Sequence, residues 1–132
     1  MSALLEKLST LKIIPVIAIK NADDAVALGH ALMDNGMPSA EITFRTPAAR
    51  QSIEVMASKR PELIVGAGTL LNLEHLCAAR EAGATFGLAP GLDLQVVAAS
   101  KALDFPFAPG VMTPSEVGTA LSAGLQTMKF FP

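Results

Sequence analysis

The chain has 132 residues, of which 51% are hydrophobic and 17% charged, and a formal charge of -2. That sets it apart from disordered sequences, gives it apolar mass for one core, and leaves no basic field to attract nucleic acid. One cysteine, Cys77, cannot form an internal disulfide framework, and His30 and His75 stand too far from it for a zinc spacing, so a reducing, cytoplasmic setting and no metal are expected.

The first segment, "MSALLEKLSTLKIIPVIAIK", is apolar in places, but Glu6, Lys7 and Lys12 interrupt it. It has neither a basic leader with a cleavage pattern nor an uninterrupted span, so neither a signal peptide nor a membrane helix is expected.

Six short apolar runs then recur: "IIPVIAI" (13–19), "AEITF" (40–44), "LIVGAG" (63–68), "TFGLAPG" (85–91), "FPFAPG" (105–110) and "MKFFP" (128–132). Their spacing of roughly 20 to 25 residues is that of one strand, one helix and two turns. Between them, "NADDAVALGHALMDNG" carries Asn21 as N-cap and Gly36 as its stop. "TPAARQSIEVMASK" offers Thr46 as cap with Pro47 at the first helical position. "NLEHLCAAREAG" runs from Asn72 to Gly83, and "LDLQVVAASK" is the shortest candidate. "TPSEVGTALSAG" is complete, with Thr113, Pro114, a capping-box Glu116 and Gly124.

Strict alternation of helices with nearly uninterrupted apolar strands predicts an α/β fold with a parallel sheet and helices on its outer face. No glycine fingerprint follows the first strand, which counts against a dinucleotide fold. Polar or turn-forming groups end strand after strand: Glu41 to Arg45, Thr69, Pro90-Gly91, Pro109-Gly110 and Lys129. A TIM (β/α)8 barrel gathers function in that way, at the C-terminal ends of many strands. Residues 1–132 then read as the first six strands of a single barrel domain, with two further βα units, on the order of 70 residues, expected beyond Pro132.

Lys129 is the sharpest chemical signal. Met128, Phe130 and Phe131 flank it, desolvation penalises an ammonium in such company, and a free amine attacks carbonyls. The alternative is a lysine that snorkels from a strand end. In "AEITFRTP" the strand period places Glu41, Thr43 and Arg45 on one face and Ile42 with Phe44 on the other. A carboxylate and a guanidinium in one confined space suit a proton-transfer group beside an anion clamp, or equally a plain ion pair filling the barrel end. Thr69 can donate to a carboxylate. "GAGTLLN" lacks the third glycine of a GxGxxG loop, because Leu71 stands there. The two Ala-Pro-Gly copies end strands four and five, where proline stops the ladder and glycine permits close backbone approach. His30, His75 and Cys77 fall in helix candidates and are read as packing or surface residues.

"IPVIAIK", "AEITFRT", "IVGAGTLLN", "FGLAPGLD", "APGVMTPSE" and "MKFFP" together resemble, in order and approximate separation, the bacterial 2-keto-3-deoxy-6-phosphogluconate aldolase and 4-hydroxy-2-oxoglutarate aldolase family. The resemblance covers essentially the whole chain. It implies a TIM barrel, usually a homotrimer, and a class I lyase without metal or cofactor that releases pyruvate and an aldehyde through a lysine Schiff base. By the same resemblance Lys129 is the Schiff-base lysine and Glu41 the proton shuttle, Arg45 and Thr69 hold the carboxylate of a 2-oxo acid substrate, and Pro90 and Phe131 line the pocket. Phe44 stands where relatives often carry leucine. The family's phosphate-binding glycines and serine belong to the seventh and eighth strand regions, outside these 132 residues. Two other readings stay open: a non-covalent barrel isomerase of a phosphorylated sugar, with Glu41 as base, and an inactive barrel fragment.

Overall fold

The computed structural model describes residues 3–132. Its strands are β1 (Val16–Ile17), β2 (Ser39–Thr43), β3 (Ile64–Gly68), β4 (Phe86–Leu88), β5 (Phe107–Ala108), β6 (Gly110–Val111) and β7 (Lys129–Phe130). Every pairing is parallel: β1 to β5 form one sheet in chain order, and β6 pairs with β7. Sequential parallel neighbours joined by helices are what right-handed βα crossovers produce.

One expected strand is two. The fifth run breaks at the fully buried Pro109: Phe107–Ala108 pairs with β4, while Gly110–Val111 pairs with β7. Proline has no N–H to give the ladder, so the run turns from one neighbour to the next across it. Gly110 makes this turn possible, since a Cβ there would sit 2.1 Å from the Pro90 carbonyl oxygen. The close approach anticipated at the Ala-Pro-Gly copies is therefore between the two copies themselves.

The helices are α1 (Ala3–Leu11), α2 (Ala25–Asp34), α3 (Ala49–Lys59), α4 (Leu73–Glu81), α5 (Leu94–Ala102) and α6 (Pro114–Ser122), with a 3-10 turn at Ala22–Asp24 before α2. Asn21 caps that turn rather than α2, and Asn72 caps α4 by accepting from the His75 N–H. Asp93 caps α5 by accepting from Gln95 and Val96, and α5 shares the shortest length, 9 residues, with α1, α4 and α6. The capping box of Thr113 and Glu116 is present. Thr46 is not the cap of α3, which starts at Ala49 with Ala48 as an N-cap that gives no side-chain bond. The Thr46 hydroxyl instead donates to the Ile19 carbonyl at 2.5 Å and ties the end of β2 to the end of β1.

Alternate residues of β2 and β3 serve two sides. Ala40, Ile42, Val65 and Ala67 join Ile53, Met56, Leu76 and Val96 of the covering helices in the main core. On the opposite side Ile64 and Phe86 pack with Leu8 of α1. Helices therefore do not lie on the outer face alone: α1, unanticipated in the sequence, packs against interior-facing residues near the N-terminal ends of the strands. Glu41, two residues along from Ser39, belongs to that interior side.

Candidate active site

Glu41 lies in the middle of the five-residue strand β2, whose residues are all buried, and its own exposure is 3%. Lys129 opens β7 and extends Nζ to 3.7 Å from Glu41 Oε1. Burial pushes the Glu41 carboxyl above its ordinary value, and the charges of Lys129 and Arg45 pull against that rise. The carboxyl is seated over Gly68: a Cβ at that position would lie 2.0 Å from Oε1. Only a residue without a side chain leaves room for the acid there.

Lys129 Nζ also stands 4.6 Å from the centroid of the Phe131 ring, a cation–π distance. Arg45, one turn past the end of β2, donates from Nε to Thr69 Oγ1 at 3.3 Å. Thr69 has φ 60, in the left-handed region that a β-branched residue rarely enters. The strand ends are knit together by backbone as well, through Phe44 N–H to Gly68 O at 2.8 Å. The Thr43 hydroxyl gives its proton to Ile17 O and ties β2 to β1.

Of the residues singled out in the sequence, Lys129, Glu41 and Phe131 come together around one ammonium, and Arg45 with Thr69 forms a second pair at the same strand ends. Pro90 is exposed and lines a neighbouring pocket of 230 Å³ with Leu70, Leu71 and Asp93. The larger cavity, 530 Å³, lies elsewhere, between α1 and β4–β5, and is lined mainly by apolar groups such as Leu8, Phe86 and Phe107. Volume and chemistry part company in this molecule, and the chemistry is with the buried ion pair. Among the described residues no group of three His, Cys, Asp or Glu is placed to hold a metal ion. Gly68 was missed as a site residue; its signal was a glycine at the inward position of β3, in register with Thr43.

A family description for KDPG and KHG aldolases matches residues 4–132. The chain belongs to that family. It is 43% identical over 129 residues to the 2-dehydro-3-deoxy-phosphogluconate aldolase of Haemophilus influenzae, covering 98% of this chain and 61% of that protein. It is 40% identical over 125 residues to the KHG/KDPG aldolase of Escherichia coli, covering 95% and 59%. Among solved structures, the KDPG aldolase of Legionella pneumophila, with pyruvate captured at low pH as a covalent carbinolamine intermediate, superposes with a TM-score of 0.87 at 36% identity, over 90% of this chain and 58% of that one. The fold is thus α/β of the TIM-barrel type shared by these aldolases. The chain spans about three fifths of the length of the relatives it matches. No described helix is long and apolar enough to cross a membrane.

Proposed function

We propose that this chain forms the first six strands of one barrel domain, with β5 and β6 counted as one strand broken at Pro109, of a class I aldolase, which cleaves 2-keto-3-deoxy-6-phosphogluconate to pyruvate and glyceraldehyde 3-phosphate and also accepts 4-hydroxy-2-oxoglutarate, giving pyruvate and glyoxylate. The observation that carries this reading is the pairing of Lys129 Nζ with the buried Glu41 carboxyl at 3.7 Å.

In this scheme the free amine of Lys129 adds to the C2 ketone, and loss of water from the carbinolamine leaves an iminium. Glu41 supplies and takes the protons of that dehydration. It then accepts the C4 hydroxyl proton, directly or through a water, as the C3–C4 bond breaks and its electron pair flows into the iminium. The aldehyde leaves, the enamine is protonated at C3, and hydrolysis returns pyruvate and the lysine. The iminium is the electron sink. Arg45 and Thr69, hydrogen-bonded to each other, hold the substrate carboxylate beside it, and a guanidinium fork suits that task. Phe131 walls the amine on one side, and Pro90 lines the pocket. A carboxyl raised by burial holds a proton more readily than an exposed one, which suits a group that must both give and take protons.

The covalent route is favoured over a non-covalent isomerase by the named aldolase relatives and by the amine that meets a buried acid. The family resemblance also supports a cytoplasmic homotrimer; sedimentation of the complete polypeptide tests the trimer, and cell fractionation tests the location. Borohydride reduction in the presence of labelled pyruvate, followed by peptide mapping, tests the chemistry. A label on Lys129 is expected, and its absence from active protein sinks the reading.

A further inference from the structure

The sequence reads His75 as a packing or surface residue, yet its ring touches both segments that carry the Arg45–Thr69 pair. It sits in the first turn of α4, where Asn72 fixes it by accepting its backbone N–H at 2.9 Å. Its Nδ1 accepts the Leu71 N–H at 3.4 Å, two residues past Thr69. Its ring packs on Phe44, adjacent to Arg45, with centroids 5.3 Å apart and planes tilted by 43°. One side chain therefore spans the loop after β2 and the loop after β3.

The Thr69 backbone gives this contact a task. A β-branched residue at φ 60 relaxes unless its surroundings hold it. Leu70 supplies one hold, with a buried side chain and its N–H on Leu88 O at 3.1 Å. The Leu71 N–H on His75 is the next hold along the chain. Phe44 N–H on Gly68 O fixes the two strands below the loops, but the side chains of Arg45 and Thr69 project beyond that bond.

We infer that His75 is a positioning residue for the carboxylate clamp, holding the Thr69 loop through Nδ1 and the Arg45 loop through ring contact with Phe44. This rests on the proposed reading of Arg45 and Thr69 as the groups that hold the carboxylate of a 2-oxo acid. His75 itself touches no reacting atom.

Two measurements on the complete polypeptide test it. The first is the pyruvate concentration giving half-maximal borohydride trapping, with KM and kcat for the 2-oxo acid substrate. Loss of one such hydrogen bond and one ring contact is expected to raise KM and the trapping midpoint about three- to tenfold in His75→Ala, with kcat changed less than about twofold. His75→Asn, whose side-chain oxygen reaches the place of Nδ1, restores part of the loss. His75→Phe, which keeps the ring and removes the acceptor, restores a different part. The second measurement is hydrogen exchange of the Arg45 Nε–H by NMR, which needs no catalysis. Exchange should quicken in His75→Ala and be slowed again in His75→Asn.

If wild-type protein traps no pyruvate, the Schiff-base proposal falls, and Arg45 exchange still judges the His75 inference. Unchanged Arg45 exchange in the variants overturns it. So does a fall in kcat at constant KM, or a pattern in which Asn and Phe behave as Ala does. Should the alanine variant fail to fold, the asparagine and phenylalanine variants carry the same comparison.

Discussion

Lys129 and Glu41 approach to 3.7 Å from strands that are not neighbours: β2 pairs with β1 and β3, whereas β7 pairs with β6. Their contact crosses the interior. It forms only if the strands curl until the inner sides of β2 and β7, which belong to separate hydrogen-bonded ladders, face each other, so the ion pair reports on the curvature of the fold as well as on its chemistry. It also joins a group of 23% side-chain exposure to one of 4%, and burial raises the carboxyl of the more enclosed group.

The seat under Glu41 gives the first prediction. In Gly68→Ala the added methyl would lie 2.0 Å from Oε1 and 2.7 Å from the carboxyl carbon. The acid must swing away or the strands must part. Overpacking of this kind costs about 1 to 3 kcal/mol, and the displaced carboxyl should cut turnover by on the order of a hundredfold, the scale of a misplaced acid–base group. A crystal structure of the variant with the Glu41–Lys129 contact unchanged would refute it.

The pH dependence of Glu41 has a definite sign. Its carboxyl is raised by burial, so the folded state holds the proton more tightly than the unfolded chain does. The stability this contributes is complete below the ordinary carboxylate range and is lost as pH rises through the raised value. Glu41→Gln has no such loss. As pH goes from about 4 to about 7 the variant should gain on the wild type in parallel urea titrations. Turnover should fall about a hundredfold or more while substrate still binds. A stability gap that stays flat with pH, or turnover near normal, would place proton transfer elsewhere.

Much of this arrangement was legible in the sequence because it follows from period and chemistry. The two-residue period of "AEITFRT" separates Glu41 from Ile42 whatever else the chain does, and a lysine between Met128 and Phe130 needs a partner or a way out. Other features depend on contacts distant in sequence. The break at Pro109 is decided by the carbonyl of Pro90 against Gly110. Thr46 has the composition of a cap, but the Ile19 carbonyl from the neighbouring strand end claims its hydroxyl. Helix α1 carries a clear amphipathic pattern, with Leu4, Leu8 and Leu11 on one side, but where it packs is decided by Ile64 and Phe86 far along the chain.

Strain at Thr69 inverts a usual ranking. Alanine ordinarily stabilises a chain relative to glycine by restricting the unfolded state. At φ 60 the alanine variant keeps the strain and the glycine variant releases it. Thr69→Gly should therefore be more stable than Thr69→Ala by about 1 kcal/mol. Both remove the acceptor of the Arg45 Nε–H and should weaken 2-oxo acid binding alike. Thermal melts that rank alanine above glycine would show that the loop relaxes without cost.

Lys129 decides between covalent and non-covalent chemistry, and two substitutions separate its roles. Lys129→Met keeps length and apolar character and removes the amine. It should abolish reductive trapping and cleavage, since methionine has no nucleophile to form an imine. The fold should survive, but Glu41 then loses the cation that pulls its carboxyl down, and burial acts on it with less opposition. A carboxyl raised further makes the variant lose stability relative to wild type as pH rises, and the deficit shrinks in acid. Adding Glu41→Gln to Lys129→Met removes the unpaired charge and should flatten that dependence, because no buried acid remains to titrate. Lys129→Arg retains a cation near Glu41 and so should hold stability closer to wild type, yet it offers no usable amine and should be equally inactive. Borohydride with labelled pyruvate and peptide mass mapping reads the chemistry, and urea titration across pH reads the electrostatics. A label on Lys20, Lys101 or any other lysine, or cleavage that persists in Lys129→Arg, overturns the assignment.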